Sequence, residues 1–299
     1  MKADVFEHLI TKAKNLIEAL PYMQAFSEKY FVIKYGGQAM VSDEAMASVV
    51  TDIVLLKHLG IKPVLVHGGG KEVSAMMERM GKKPRFVDGL RITDDETMEV
   101  AEMVLLGNIN NRIVNLLNRR GARAVGLSGA DAGLFQAVRK LPVTAGTSQG
   151  RTVDLGRVGV IRAIDTELVK ILSENGYIPV VSSIGSGPSW ESLNLNADHA
   201  AGKLAGALEA EKLIILTDVE GVYRQSEAGL KFISRITGEE IGRLIEDGQI
   251  NGGMIPKVEA CLQALGKGVA RTHIIDGRRD HALILEIFTD AGIGTMVTL

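Results

Sequence analysis

Lys34 closes the apolar run Phe31-Val32-Ile33-Lys34-Tyr35 and is followed by Gly36 and Gly37. A lysine at the end of a buried strand, beside amides that no side chain screens, can trap a phosphate: the ammonium supplies charge and the amides hydrogen bonds. The same run also reads as an ordinary strand end. Val64-Leu65-Val66-His67-Gly68-Gly69-Gly70-Lys71 repeats the device. Consecutive glycines reach positive φ and let amides converge on an anion at a helix N-terminus. Neither stretch is a Walker A loop or a dinucleotide fingerprint. Lys257 follows Gly252-Gly253-Met254-Ile255-Pro256, a flexible pair joined to a stiff helix start. Lys34 and Lys257, closing from two lobes, would neutralise charge on a transferring phosphoryl group. That task needs protonated lysines, so neither is a general base. Asp198, in Asn194-Leu195-Asn196-Ala197-Asp198, either caps a helix or holds both lysines through charge-assisted bonds. Arg91, in Asp88-Gly89-Leu90-Arg91-Ile92-Thr93-Asp94, either grips a carboxylate bidentately or makes a surface ion pair. Thr217 and Asp218 end the buried run Leu213 to Leu216, where a parallel sheet presents ligands. His67, His199 and His273 do not have metal-cluster spacing, and each reads as structural.

The elements that must position these residues alternate. Ala3 to Leu20 is amphipathic and is expected to end at Pro21. Ser42 suits the cap of a helix over Asp43 to Leu59, and Pro63 to His67 a strand before a helix from Lys71 to Met80. Thr93 and Glu96 form a capping-box pattern for a helix to about Leu117, ahead of a strand over Arg123 to Leu127. Leu134 to Val138 and Val153 to Ile161, punctuated by Gly146, Gly150, Gly156 and Gly159, suggest short strands with a hairpin near Leu155-Gly156-Arg157. Asp165 caps a helix to about Ser173, and Ile178 to Ser182 is a strand. Ile184 to Ser189 reads as a loop and lobe boundary. Asp198 to Leu208 reads as a helix, Thr237 with Glu240 as a capping box, and Pro256 as a helix start. Ala270 to Ile275 and Leu283 to Phe288 read as the last strands. This rhythm predicts an α/β, three-layer αβα sandwich around a mostly parallel sheet.

Of 299 residues, 46% are apolar, enough for one extended domain or two lobes. The net charge of -2, with no long basic run, argues against nucleic acid and anionic membranes as principal partners. Cys261 is the single cysteine, which rules out an internal disulfide, and it reads as a buried helical residue. No apolar run reaches the ~18 residues of a membrane span and no secretory signal is evident, so a cytoplasmic protein is expected.

Taken together, FVIKYGG at 31–37, LVHGGGK, DGLRITD, LNLNAD, TDVEGVY and GGMIPKV resemble, in order and context, the acetylglutamate kinases of the amino acid kinase family over about Phe31 to Leu299. The resemblance implies an N-acetylglutamate-binding lobe over 31–188 and an ATP-binding lobe over 189–299. It implies transfer of the γ-phosphoryl of ATP to the side-chain carboxylate of N-acetyl-L-glutamate, with Mg²⁺ accompanying the nucleotide. Lys34 and Lys257 would stabilise the transition state and Asp198 organise them. Gly69, Gly70, Arg91 and Asn194 would surround the acyl amino acid. Gly36 and Gly37 would face developing phosphoryl charge, and Thr217, Asp218 and Lys257 the nucleotide. Residues 1–30, a helix and linker before the first strand, resemble the arginine-inhibited branch, where such helices interlace dimers into a hexamer, a trimer of dimers. That branch implies an arginine site at Lys212, His273, Glu286 and Gly292. A PII-type regulator controls some members, but no motif here marks that contact. The loop Gly185 to Ser192 fits the family pattern less closely than its flanks. A carbamate, aspartate, glutamate 5- or uridylate kinase is the alternative among enzymes. A noncatalytic arginine-sensing or partner-binding protein is the alternative of another class.

Overall fold

The computed structural model of the chain describes residues 2–37, 43–144, 152–226 and 229–299. Ser42, Gly146 and Gly150 lie outside them. Eight strands form the central sheet in the spatial order Arg235–Thr237, Thr295–Thr298, Arg271–Asp276, Lys212–Thr217, Tyr30–Tyr35, Lys62–His67, Ile178–Ser182, Ala124–Ser128. Neighbours are parallel except Arg271–Asp276 against Thr295–Thr298. The central strands are near-continuous apolar runs because both faces are covered. Phe31, Ile33 and Tyr35 enter one core with helices Asp43–His58 and Asn111–Arg119. Val32, Val64 and Val66 enter the other, with helices Ala197–Ala207 and Ile255–Leu265. Period-two alternation therefore sends Lys34 to the face of Val32, beneath the helix that carries Asp198. A smaller sheet, ordered Ser192–Asn194, Ile184–Ser186, Phe135–Arg139, Gly159–Ile164, lies beside the C-terminal strand ends.

Several expectations are corrected. The first helix runs Lys2–Phe26 with Pro21 inside it. Tyr22 and Phe26 stack 6.2 Å apart, Phe26 meets Phe31 at 5.2 Å, and this anchored last turn outweighs the hydrogen bond that proline removes. Thr93 is not a cap. Asp94 accepts from the Thr97 amide at 2.9 Å, while Glu96 turns to Lys82 instead. That helix passes into a π-helical turn, Met103–Asn110, before Asn111–Arg119. Thr166 stands at the N-cap position of helix Glu167–Glu174, with the Asp165 carboxylate accepting from the Glu167 amide. No hairpin forms at Leu155 to Arg157. This stretch instead lies along Thr93, with the Thr93 amide donating to the Leu155 carbonyl and the Arg157 amide to the Thr93 carbonyl. Gly156 is required there: its φ is +68°, and a Cβ would sit 2.3 Å from the Thr93 oxygen. Ile184–Ser186 is a strand, paired antiparallel with Ser192–Asn194, so a hairpin straddles position 188. Residues 282–287 are helical, not extended: Ala282, Leu283, Glu286 and Ile287 are buried at helical spacing, and Thr295–Thr298 is the final strand. Short apolar runs do not separate these alternatives by periodicity.

Candidate active site

The strand Tyr30–Tyr35 and two helix N-termini meet at one carboxylate. Lys34 Nζ lies 2.9 Å from one Asp198 oxygen and Lys257 Nζ 3.0 Å from the other. Lys34 and Asp198 side chains are each only 8% exposed. Asp198 is free for this role because Asn196 caps its helix, accepting from the amides of Asp198 and His199 at 2.9 and 3.0 Å. Burial works to raise the Asp198 carboxyl, but the two ammonium groups outweigh it and hold it down at about 2. Burial lowers Lys34, an effect that Asp198 opposes and Lys257 reinforces. The trio thus carries a formal charge of +1, and Asp218 also favours the Lys34 ammonium.

Beside it lies a cavity of about 260 Å³ lined by Lys34, Gly36, Gly37, the loop Gly68 to Gly70, Arg91, Asn194 and Asp198. Gly36 permits close approach, since a Cβ there would stand 3.0 Å from Lys34 Nζ. Gly70 begins helix Gly70–Arg79, whose first-turn amides have no intrahelical acceptor. The Arg91 guanidinium stacks 4.7 Å from the Phe86 ring centroid. Its Nη2 donates to the Gly70 carbonyl at 2.6 Å and to Ser74 Oγ at 2.8 Å, while Nη1 faces only the Met77 thioether at 3.3 Å. Nη2, which both bidentate forks of a guanidinium use, is thus shared with Gly70 and Ser74. Asn194 Nδ2 donates to Thr93 Oγ1 at 3.2 Å, locking the hairpin to the segment that carries Arg91. A second cavity, of about 620 Å³, shares Gly89, Leu90, Val158, Leu195 and Asn196 with the first and extends to Gly252, Gly253 and Pro256.

Thr217 and Asp218 sit at the tip of strand Lys212–Thr217, next to Asp276, which ends Arg271–Asp276. Asp276 binds Arg278 through both carboxylate oxygens, at 2.9 and 2.8 Å. This Arg278 is a cation that sequence reading missed, because nothing in Asp276-Gly277-Arg278-Arg279 separates it from a surface turn. Asn196 as the cap was missed for a similar reason: two asparagines and an aspartate crowd one turn, and each suits a cap.

Farther away, Lys212, His273, Glu286 and Gly292 meet at the other end of the sheet. His273 Nδ1 is 2.6 Å from a Glu286 oxygen and Lys212 Nζ 3.3 Å from His273 Nε2. The second Glu286 oxygen accepts from the Ile293 and Gly294 amides, around a Gly292 of φ +60°. Burial pushes Lys212 down to about 8, with Arg271 adding to the effect. Burial also lowers His273, against the opposing bond from Glu286.

Among the described residues no group of three or more His, Cys, Asp or Glu could hold a metal ion, and no helix is long and apolar enough to cross a membrane. Cys261 is buried and pushed up to about 12 by that burial.

The sequence model described as the amino acid kinase family matches residues 29–276. The chain is 55% identical over 288 residues to an acetylglutamate kinase of Pelotomaculum thermopropionicum, covering 96% of this chain and 97% of the relative. It is 52% identical over 300 residues to an acetylglutamate kinase of Methanocaldococcus jannaschii, covering 100% and 99%. Among solved structures it resembles N-acetylglutamate synthase from Neisseria gonorrhoeae complexed with coenzyme A and N-acetyl-glutamate. The TM-score is 0.82 and the identity 27%, over 96% of this chain and 63% of that one. The chain therefore spans less than two thirds of the synthase.

Proposed function

This chain belongs to the amino acid kinase family, and on that premise we propose that its charged cavity phosphorylates the side-chain carboxylate of N-acetyl-L-glutamate at the expense of ATP, a step of arginine biosynthesis. The observation that carries the reading is Asp198 between Lys34 and Lys257 on the border of a cavity that also holds Arg91 and the glycine loop. A carboxylate oxygen of the substrate bonds to the γ-phosphorus. The bond from that phosphorus to the β-bridging oxygen breaks, and its electron pair leaves on ADP. No proton need move and no enzyme nucleophile is needed. Lys34 and Lys257 neutralise the charge that spreads over the transferring oxygens, from a largely buried position where such interactions are stronger than in water. Asp198 keeps the two ammonium groups apart and aimed. Arg91 and Asn194 orient the acyl amino acid, while Gly36, Gly37, Gly69 and Gly70 let backbone amides approach.

Thr217, Asp218 and Lys257 are assigned to the nucleotide. The donor set fits Mg²⁺ as a passenger of the phosphates, because both Asp198 oxygens are already taken by lysines and no other acidic cluster is built among the described residues. When bound, the ion supplies further positive charge to the phosphate oxygens. The division into an N-acetylglutamate lobe over about 31–188 and an ATP lobe over about 189–299 belongs to the same proposal, with its border inside the hairpin.

Arginine is assigned to the cluster of Lys212, His273, Glu286 and Gly292, where Glu286 offers a carboxylate for a guanidinium. Assembly into hexamers through residues 1–30 is supported by Phe6, Leu9, Leu16 and Ile17, apolar and exposed along the first helix. A cytoplasmic setting, where ATP is at hand, completes the reading. The test is a phosphoryl-transfer assay with ATP and Mg²⁺ across N-acetylglutamate, free glutamate, aspartate, carbamate and UMP. Turnover is expected with N-acetylglutamate, and its failure there rejects the assignment.

A further inference from the structure

His67 ends the strand Lys62–His67, directly before the three glycines, and is fully buried. Its Nε2 lies 3.0 Å from Asn110 Nδ2, and its Nδ1 lies 3.1 Å from the Gly68 carbonyl oxygen. The asparagine is fixed the right way round: the same Nδ2 donates to the Val180 carbonyl at 2.9 Å, with the Leu127 carbonyl at 3.4 Å, and carbonyls cannot donate to its oxygen. Two amide hydrogens thus serve Val180 and His67, so Nε2 of the imidazole is an acceptor. Its proton must then sit on Nδ1, where it is donated to Gly68. Asn110 Oδ1 lies against Gly126, where a Cβ would intrude to 1.9 Å. Asn110 is the last residue of the π-helical turn, an element that recurs at functional sites. Two other residues of that turn back the loop: a Cβ on Gly69 would stand 2.2 Å from Ile109 Cδ1 and 2.8 Å from Leu105 Cδ2.

A run of three glycines has little of its own to stop a peptide plane from flipping. A trans peptide is planar, so the direction of the Gly68 carbonyl dictates the opposite direction for the Gly69 N–H. We infer that His67, locked in one tautomer by Asn110, is a positioning residue that fixes the Gly68–Gly69 peptide plane and so aims the Gly69 amide for the bound carboxylate substrate. The inference rests on the substrate reading above only for the identity of that ligand. Burial supports it by pushing the imidazole down to about 4, against the opposing Gly68 bond, so the ring stays neutral at the pH of turnover.

Two substitutions separate the two ring nitrogens. His67→Gln keeps an acceptor near the Nε2 position for Asn110 but has no donor for Gly68. His67→Asn places an amide N–H near the Nδ1 position. Expected is a loss of about tenfold in kcat/KM with His67→Gln, the effect of one hydrogen bond, seen as a raised KM for acetylglutamate with KM for ATP unmoved. His67→Asn should recover most of it. Equal losses in both variants, spread over both substrates and tracking their melting temperatures, would overturn the inference. Long-range ¹⁵N–¹H spectra of the imidazole, assigned with His67→Gln, should show the proton on Nδ1 in the wild type, and a proton on Nε2 would also overturn it. If the wild type does not turn over acetylglutamate, the substrate assignment falls alone. The Gly69 amide resonance then decides on His67: it should shift in His67→Gln and return in His67→Asn, and no shift rejects the positioning role.

Discussion

Asp198→Asn removes the carboxylate that holds Lys34 at 2.9 Å and Lys257 at 3.0 Å, which raises the formal charge of the trio from +1 to +2 in a buried site. The carboxyl is held at about 2 against an ordinary 3.8, which corresponds to about 2 kcal/mol of stability at neutral pH that the burial of Lys34 offsets in part. Two ammonium groups left facing each other add repulsion, so the variant should lose about 2 to 4 kcal/mol, in the range for breaking a buried pair. The sign with pH follows. A depressed carboxyl stabilises the fold fully above its unfolded value of 3.8, and this contribution is lost as pH falls toward 2. Wild type should therefore show an acid-dependent step in melting temperature that the variant lacks. At the alkaline end the sign reverses. Lys34, already lowered by burial, loses the group that opposes that lowering, so turnover that depends on its ammonium should fail at lower pH than in wild type. The assays are thermal melts from pH 2 to 9 and kcat from pH 5 upward. Adding Lys34→Met to Asp198→Asn should restore melting temperature without restoring turnover. A single variant with wild-type melts and an unmoved alkaline limb would refute the electrostatic account of the trio.

Lys34→Ala and Lys257→Ala should each lower kcat by about a hundredfold or more while leaving acetylglutamate half-saturation within a few fold, whereas Arg91→Ala should mainly raise KM. Steady-state kinetics on the three variants checks the split. Gly156→Ala forces a side chain into φ +68° and 2.3 Å from the Thr93 oxygen. It should cost roughly 2 kcal/mol by denaturant unfolding and raise KM for acetylglutamate, because Thr93 anchors Asn194. Glu286→Gln removes the carboxylate between His273 and the Ile293 and Gly294 amides, and should raise the arginine concentration for half-inhibition by about tenfold or more. An arginine titration of initial rates reads it directly.

That Lys34 and Lys257 meet at one carboxylate agrees with the local sequence that singled them out: a lysine at the end of an apolar strand, glycines where side chains would block amides, and a proline-started helix after a glycine pair. The alternation of strands and helices was legible for the same reason that the sheet is buried on both faces. What escaped was decided by partners distant in the chain. Pro21 stays helical because Phe26 packs on Phe31. Residues 282–287 coil because their buried positions fall on one helical face and the sheet edge is taken by Thr295–Thr298. The π-helical turn is invisible in an apolar stretch whose spacing suits an ordinary helix, although Asn110 at its end reaches three strands.

Local rules conflict at Lys257. A cation in the first turn of a helix is repelled by the helix dipole, whereas Asp198 in the first turn of its own helix is favoured by it. The fold brings these two N-termini together by packing Gly202 on Ala260 so closely that a Cβ would stand 2.6 Å from the Ala260 carbonyl oxygen. The misplaced cation is thus neutralised by the well-placed anion, and Lys34 arrives from the sheet as a second positive charge, favoured also by Asp218. A sequence selected for stability alone would place an acidic or neutral residue at 257. On the function proposed above, lysine there would meet an anion between the helices, and two dipoles pointing their positive ends into the same cleft would add to its attraction.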